Sequence, residues 1–84
     1  MYKVVVSVEA KRVLGKLQTK YRKNMEEAID SLENNPRPFG YKKLKNYDNN
    51  YRIRVGVYRV IYRIEDRELI VEVIKIEHRS KVYR

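Results

Sequence analysis

The sequence predicts an α+β fold, a two-helix hairpin packed on a small, mainly antiparallel four-stranded sheet in the order β-α-α-β-β-β. Three observations predict it. A β-branched stretch opens the chain, and a longer stretch with apolar residues three and four apart follows it. The last third then alternates apolar and charged residues around a tight-turn signal. At 84 residues the chain is expected to form one domain, residues 1–84, with a thin core.

Tyr2 to Val8 reads as the first strand. From about Glu9 to Asn34 the period becomes helical, with Val13, Leu14 and Leu17, then Tyr21, Met25, Ile29 and Leu32 on one stripe. Gly15 weakens the first part, and a break near Thr19–Arg22 is expected to divide the stretch into two helices. Asn34-Asn35-Pro36 ends the second, because the residue before a proline is pushed out of the helical region. Pro36 to Asn50 reads as a loop with Pro38, Gly40 and Asn49-Asn50, ordered in part by Phe39, Tyr41, Leu44 and Tyr47. Strands are expected at Tyr51–Val55, Tyr58–Ile64 and Leu69–Ile76. The last is nearly continuously apolar, as a strand covered on both faces would be.

Composition narrows the chemistry. Lys and Arg total 20 against 11 Asp and Glu, a net charge of +9, and a field of that sign favours polyanions. There is no cysteine, which excludes a disulfide framework and a thiolate metal site. With His78 the single histidine, no metal and no cofactor are expected. No stretch reads as a signal sequence or a membrane span, so a soluble cytoplasmic protein without a membrane partner is the expectation. The first helix carries Lys11, Arg12, Lys16, Lys20, Arg22 and Lys23, a basic face suited to an RNA backbone or simply to water.

The most informative segment is YRIRVGVYRVIYRI, residues 51–64. Gly56-Val57 fits a two-residue turn of type II′, which wants glycine first. Val55 then pairs with Tyr58, Ile53 with Val60 and Tyr51 with Tyr62, all on the face toward the helices. The opposite face receives Arg54 beside Arg59, and Arg52 beside Ile61. Like charges directly opposed cost stability, so Arg54 beside Arg59 points to phosphate or an acidic partner rather than to folding alone. The plainer reading is a solvated face whose arginine stems cover Ile61 and Ile74. Placing the next turn at Glu65–Glu68 pairs Ile64 with Leu69 and sets Ile74 opposite Arg59. Ile76 and His78 would then continue on the arginine face, with Arg79 and Tyr83 close by. A one-residue slip would reverse that assignment.

The hairpin YRIRVGVYRVIYRIED followed by IEHRSKVYR resembles the RelE/ParE superfamily of toxins, and the resemblance extends over the two helices and LENNPRPFGYKKLKN. It implies a compact RelE-like α+β fold and a cytoplasmic, metal-independent endoribonuclease that cuts messenger RNA in the ribosomal A site. It also implies partners: the ribosome with its mRNA, and a cognate acidic antitoxin, the free toxin being monomeric. Carried over by position, Arg59, Arg79 and Tyr83 match the family's functional arginines and C-terminal tyrosine, with His78 a further catalytic candidate. Arg52 and Arg54 stand where well-known members carry lysines, and with Lys81 they are candidate RNA and phosphate contacts. Glu77 stands where many members have glycine, and its carboxylate either orients His78 or has no role.

The implied chemistry is attack of a ribose 2′-hydroxyl on the adjacent phosphate. Arginine can stabilise the charged phosphorane but does not lose its proton, so it cannot be the base. Tyr83, His78 or the ribosome itself remains for that duty. Two other functions fit the same chain: a ParE-like toxin that poisons DNA gyrase, and a non-catalytic module binding nucleic acid or antitoxin.

Overall fold

A computed structural model describes residues 1–45 and 49–82. The elements are β1 (Lys3–Val6), α1 (Val8–Lys16), α2 (Thr19–Ser31), β2 (Lys42–Lys43), β3 (Asn50–Val55), β4 (Tyr58–Glu65), β5 (Ile70–His78) and α3 (Arg79–Val82). The strands form one five-stranded sheet in the order β1-β5-β4-β3-β2. β1 runs parallel to β5, and the other pairs are antiparallel. The α+β class holds, with one strand more than expected. The addition is β2, which lies inside the segment expected to be a loop and pairs Lys42 with Arg52 and Lys43 with Tyr51. Two residues are too few to show a period of two, so the sequence carries no signal for it.

The first strand stops at Val6 because Ser7 caps α1. Its side-chain oxygen accepts a hydrogen bond from the Ala10 amide at 3.0 Å. The helical stretch breaks at Leu17 and Gln18, both extended, rather than at Thr19–Arg22, which forms the first turn of α2. Gly15 stays within α1. After Ser31, turn-type bonds such as Leu32 N–H to Ile29 O and Glu33 N–H to Asp30 O carry the chain to Pro36. Beyond it, the Tyr62 hydroxyl donates to the Pro36 carbonyl at 2.7 Å, in a buried setting. Burial pushes the Tyr62 phenol well above its usual range.

The core lies between the helices and one sheet face. Ala10, Met25, Ile29 and Leu32 meet Tyr51, Ile53, Val60, Tyr62, Ile64, Val71, Val73 and Ile76. Each large side chain fully buried here contributes about 1.5–3 kcal/mol of apolar transfer. The β3–β4 hairpin has the expected register, Val55 with Tyr58, Ile53 with Val60 and Tyr51 with Tyr62. Its turn places Gly56 at φ +62° and leaves Val57 on the ordinary negative side, as a type II′ turn requires.

The β4–β5 pairing differs from expectation in two ways. Glu65 pairs with Ile70, so the turn sits one residue later and the pairing shifts by two, with Leu69 at φ +54°. A shift of two leaves every side chain on its expected face. The second difference does not: the register slips by one between Ile61 and Tyr62, and Ile74 is the extra residue of a β-bulge. Its carbonyl accepts the Ser7 hydroxyl at 2.6 Å. Beyond the bulge Ile76 opposes Val60 and His78 opposes Tyr58, both toward the helices, while Glu77 opposes Arg59.

Candidate functional site

A cleft of about 260 Å³ opens beside the tip of the hairpin, lined by Arg52, Arg54, Gly56, Val57, Tyr58, Arg59 and Arg79. Four arginines thus line one small space. Three arrive by strand geometry: Arg52 and Arg54 stand two residues apart on β3, and Arg59 faces Arg54 across the pair. The fourth arrives through the backbone. The Arg79 amide donates to the Val57 carbonyl at 2.7 Å, which ties the start of α3 to the hairpin tip.

The four arginines are not equivalent. Arg54 and Arg79 are exposed, whereas Arg52 retains 9% of its exposure and engages other groups of the chain. Ile61, on the same face, is buried to 6%. Arginine stems over an apolar floor therefore account for part of this face, and the charged heads account for the rest. Lys42 extends the basic surface, since it pairs directly with Arg52 and shares its side of the sheet.

The acid that the hairpin alone lacks comes from β5. Glu77 Oε2 accepts from Arg59 Nη2 at 3.1 Å and Nε at 3.3 Å, and its Oε1 lies 3.3 Å from Lys75 Nζ. The Glu77 carboxylate therefore holds Arg59 and does not orient His78. As neighbours on one strand the two side chains point to opposite faces, and the bulge turns Glu77 to the arginine side and His78 to the helix side.

For the same reason His78 does not converge with the arginines along the strand. Its ring stands edge-on to Tyr58, centroids 5.3 Å apart at 90°. Its Nδ1 accepts the Ser80 amide at 3.1 Å and lies 2.9 Å from the Ser80 hydroxyl. The neutral ring accordingly carries its proton on Nε2. Lys81 lies in α3, while Tyr83, like Tyr47, lies outside the described residues. Among the described residues no group of three or more His, Asp or Glu side chains is gathered as metal ligands would be. No helix among them is long and apolar enough to cross a membrane.

A second polar cluster sits on the far end of the sheet. Arg37 makes a two-pronged contact with Asp66 (2.9 and 3.2 Å), Tyr2 donates its hydroxyl to the same carboxylate at 2.6 Å, and the Arg37 guanidinium lies 5.4 Å over the Tyr51 ring. The bonds from Arg37 and Tyr2 hold the Asp66 carboxyl below its usual range, and Asp66 raises the Tyr2 phenol. This cluster pins the loop after α2 to the sheet and stays clear of the arginine cleft.

Comparison with known proteins supports the same assignment. A family profile described as the ParE toxin of the type II toxin–antitoxin system parDE matches residues 4–83. Toxin RelG of Mycobacterium tuberculosis is 30% identical over 84 residues, spanning 99% of this chain and 97% of that one. A Methanocaldococcus jannaschii protein provisionally named toxin RelE1 is 39% identical over 67 residues, or 74% of this chain and 72% of its own. Among solved structures, a chain of the archaeal RelE–RelB complex from Pyrococcus horikoshii superposes with a TM-score of 0.85 at 28% identity, covering 95% of this chain and 97% of that one. The sheet order, the arginine-bearing hairpin and these matches agree, and the chain belongs to the RelE/ParE superfamily of type II toxins.

Proposed function

We propose that this toxin is a metal-independent endoribonuclease that cuts messenger RNA in the ribosomal A site and is held inactive by an acidic antitoxin. The observation that carries the reading is the cleft of four arginines, with Arg54 and Arg59 directly opposed across the hairpin. Such a cluster suits a phosphate, whose oxygens accept bidentate guanidinium contacts.

In the reaction the ribose 2′-oxygen attacks the neighbouring phosphorus and the bond to the 5′-oxygen breaks. A 2′,3′-cyclic phosphate and a 5′-hydroxyl result. Arg59 and Arg79 stabilise the charge that develops on the phosphorane. Arg52, Arg54 and Lys81 hold the flanking phosphates. No guanidinium can take the 2′-hydroxyl proton, and His78 is turned toward the helices, so Tyr83 or a ribosomal group takes that role. A phenol becomes a better base when guanidiniums stabilise its phenolate. The antitoxin is a natural partner for a chain of net charge +9, and the similar Pyrococcus horikoshii chain is found with its RelB.

One observation favours a second reading, in which the toxin poisons DNA gyrase without cutting RNA: the matching family profile is the one described as ParE. Adding the purified protein to programmed ribosomes with an open A site, and mapping mRNA ends by primer extension, separates the two. Cleavage within the A-site codon is expected, absent on naked RNA and lost in Arg59→Ala and Tyr83→Ala. No cleavage by folded wild type, with stalled supercoiling in a gyrase assay, would overturn the endoribonuclease reading in favour of the second. Silence in both assays would leave a binding module.

A further inference from the structure

We propose that Glu77 is a positioning residue of the arginine cleft: its carboxylate grips Arg59 by the Nε–Nη2 edge and so fixes the terminal Nη1–Nη2 edge toward a bound phosphate. The proposal rests on the endoribonuclease reading. Its starting point is a contact made by two donors on a single oxygen, Arg59 Nε and Nη2 both reaching Glu77 Oε2 at 3.3 and 3.1 Å. The two residues are directly opposed in the β4–β5 register, so the strand geometry delivers them to each other. Lys75 holds the other carboxylate oxygen at 3.3 Å, and the carboxylate is thereby fixed from two sides.

Arg59 lines the cleft and Glu77 does not. Glu77 instead lines the neighbouring hollow with Leu44, Ile61 and Ile74, and Arg59 borders both spaces. The guanidinium therefore stands between the carboxylate and the cleft. Of its five N–H groups two are spent on Glu77, which leaves three for phosphate oxygens. Arg54, across the strand pair, repels Arg59 and would drive an untethered side chain out to water. Glu77 opposes that motion from the other flank. A donor already in place need not reorder when charge develops on the phosphorane, which is the advantage of preorganisation. The geometry disfavours Glu77 as the base, because both its oxygens already serve cations and Arg59 intervenes between it and the substrate.

The test combines ribosome-dependent cleavage with NMR of the Arg59 side chain in the free protein. The wild type is run beside Glu77→Ala, Glu77→Gln and Glu77→Asp. In the wild type the Arg59 Nε–H is expected to exchange slowly, and in Glu77→Ala to exchange fast. Inorganic phosphate should shift the Arg59 terminal nitrogens while the Nε–H stays paired with Glu77. Glu77→Ala should lower kcat about tenfold with KM little changed and the pH profile unaltered, and Glu77→Asp should recover part of the loss. Equal Nε–H exchange in wild type and Glu77→Ala, or release of the pair by phosphate, overturns the proposal whether or not the chain cleaves RNA. So does a faster variant, which would make Glu77 a brake. A loss of about a thousandfold with disappearance of the acid limb would make it the base instead. If wild type cleaves nothing while the NMR results stand, the endoribonuclease reading fails and the positioning of Arg59 for phosphate survives.

Discussion

Replacing Ser7 by alanine removes two hydrogen bonds that serve different elements. The hydroxyl oxygen accepts from the Ala10 amide at the start of α1, and its proton goes to the carbonyl of the bulge residue Ile74. Loss of the helix cap costs about 1 kcal/mol. The Ile74 carbonyl loses its donor in a part-buried position where water reaches it in part, which sets the second cost near the low end, again about 1 kcal/mol. The expected destabilisation is about 2 kcal/mol, which for a domain of this size lowers Tm by roughly 10 °C. Urea unfolding followed by circular dichroism gives the free energy, and a thermal scan gives Tm. Ser7→Asp separates the two effects. A carboxylate caps the helix and favours its positive end, yet cannot donate to the Ile74 carbonyl, so about half of the loss should return. A loss in Ser7→Ala below about 0.5 kcal/mol would refute the double role, since that is the floor for a cap alone. Full recovery in Ser7→Asp would show that the bond to the bulge contributes nothing.

Further predictions concern the turn, the arginine face and the far cluster. Gly56→Ala should cost about 1–2 kcal/mol in urea unfolding, because φ +62° disfavours a Cβ although nothing lies within 4 Å of where it would sit. Arg54→Gln removes the like-charge contact with Arg59 and should raise stability by about 0.5 kcal/mol while weakening RNA binding and flattening its salt dependence. Stability and binding falling together would show that Arg54 serves the fold. At the far cluster, Asp66 has its folded-state pKa depressed, so its contribution is present above the ordinary carboxylate range, near pH 4, and is lost as pH falls through the lower folded value. Tm of wild type should therefore drop more steeply below pH 4 than that of Asp66→Asn, and parallel curves would show that the pairing is not felt.

The hairpin was legible because each of its signals is local. Gly56-Val57 specifies the turn, the turn specifies the register, and the register puts Arg54 beside Arg59 without reference to the rest of the chain. The end of β5 was not legible. Its facing depends on Ile74, whose bulge is stabilised by a hydroxyl from Ser7, 67 residues away along the chain. No pattern within residues 69–78 reports that bond, and an uninterrupted alternation was the natural reading. β2 was hidden for a related reason, since two lysines become a strand only when β3 presents its open edge to them. Arg79 was placed correctly among the arginines, though by a backbone bond to Val57 rather than by the strand register that the sequence suggested.

The single extra residue at Ile74 also determines how this cleft can change over generations. A change in the Asp66–Leu69 turn that slides the pairing by two residues keeps the same face of β5 toward Arg59. Losing one residue between that turn and Glu77 with the bulge kept would set His78 opposite Arg59, and gaining one would set Ile76 there, whereas losing Ile74 itself straightens the strand and leaves Glu77 in place. A substitution at Glu77 varies only the chemistry of that side chain, whereas a one-codon change that shifts the register replaces the partner of Arg59 at a stroke. Among relatives of this chain, a change in the count of residues across β5 is therefore the mark by which a differently equipped cleft would be recognised.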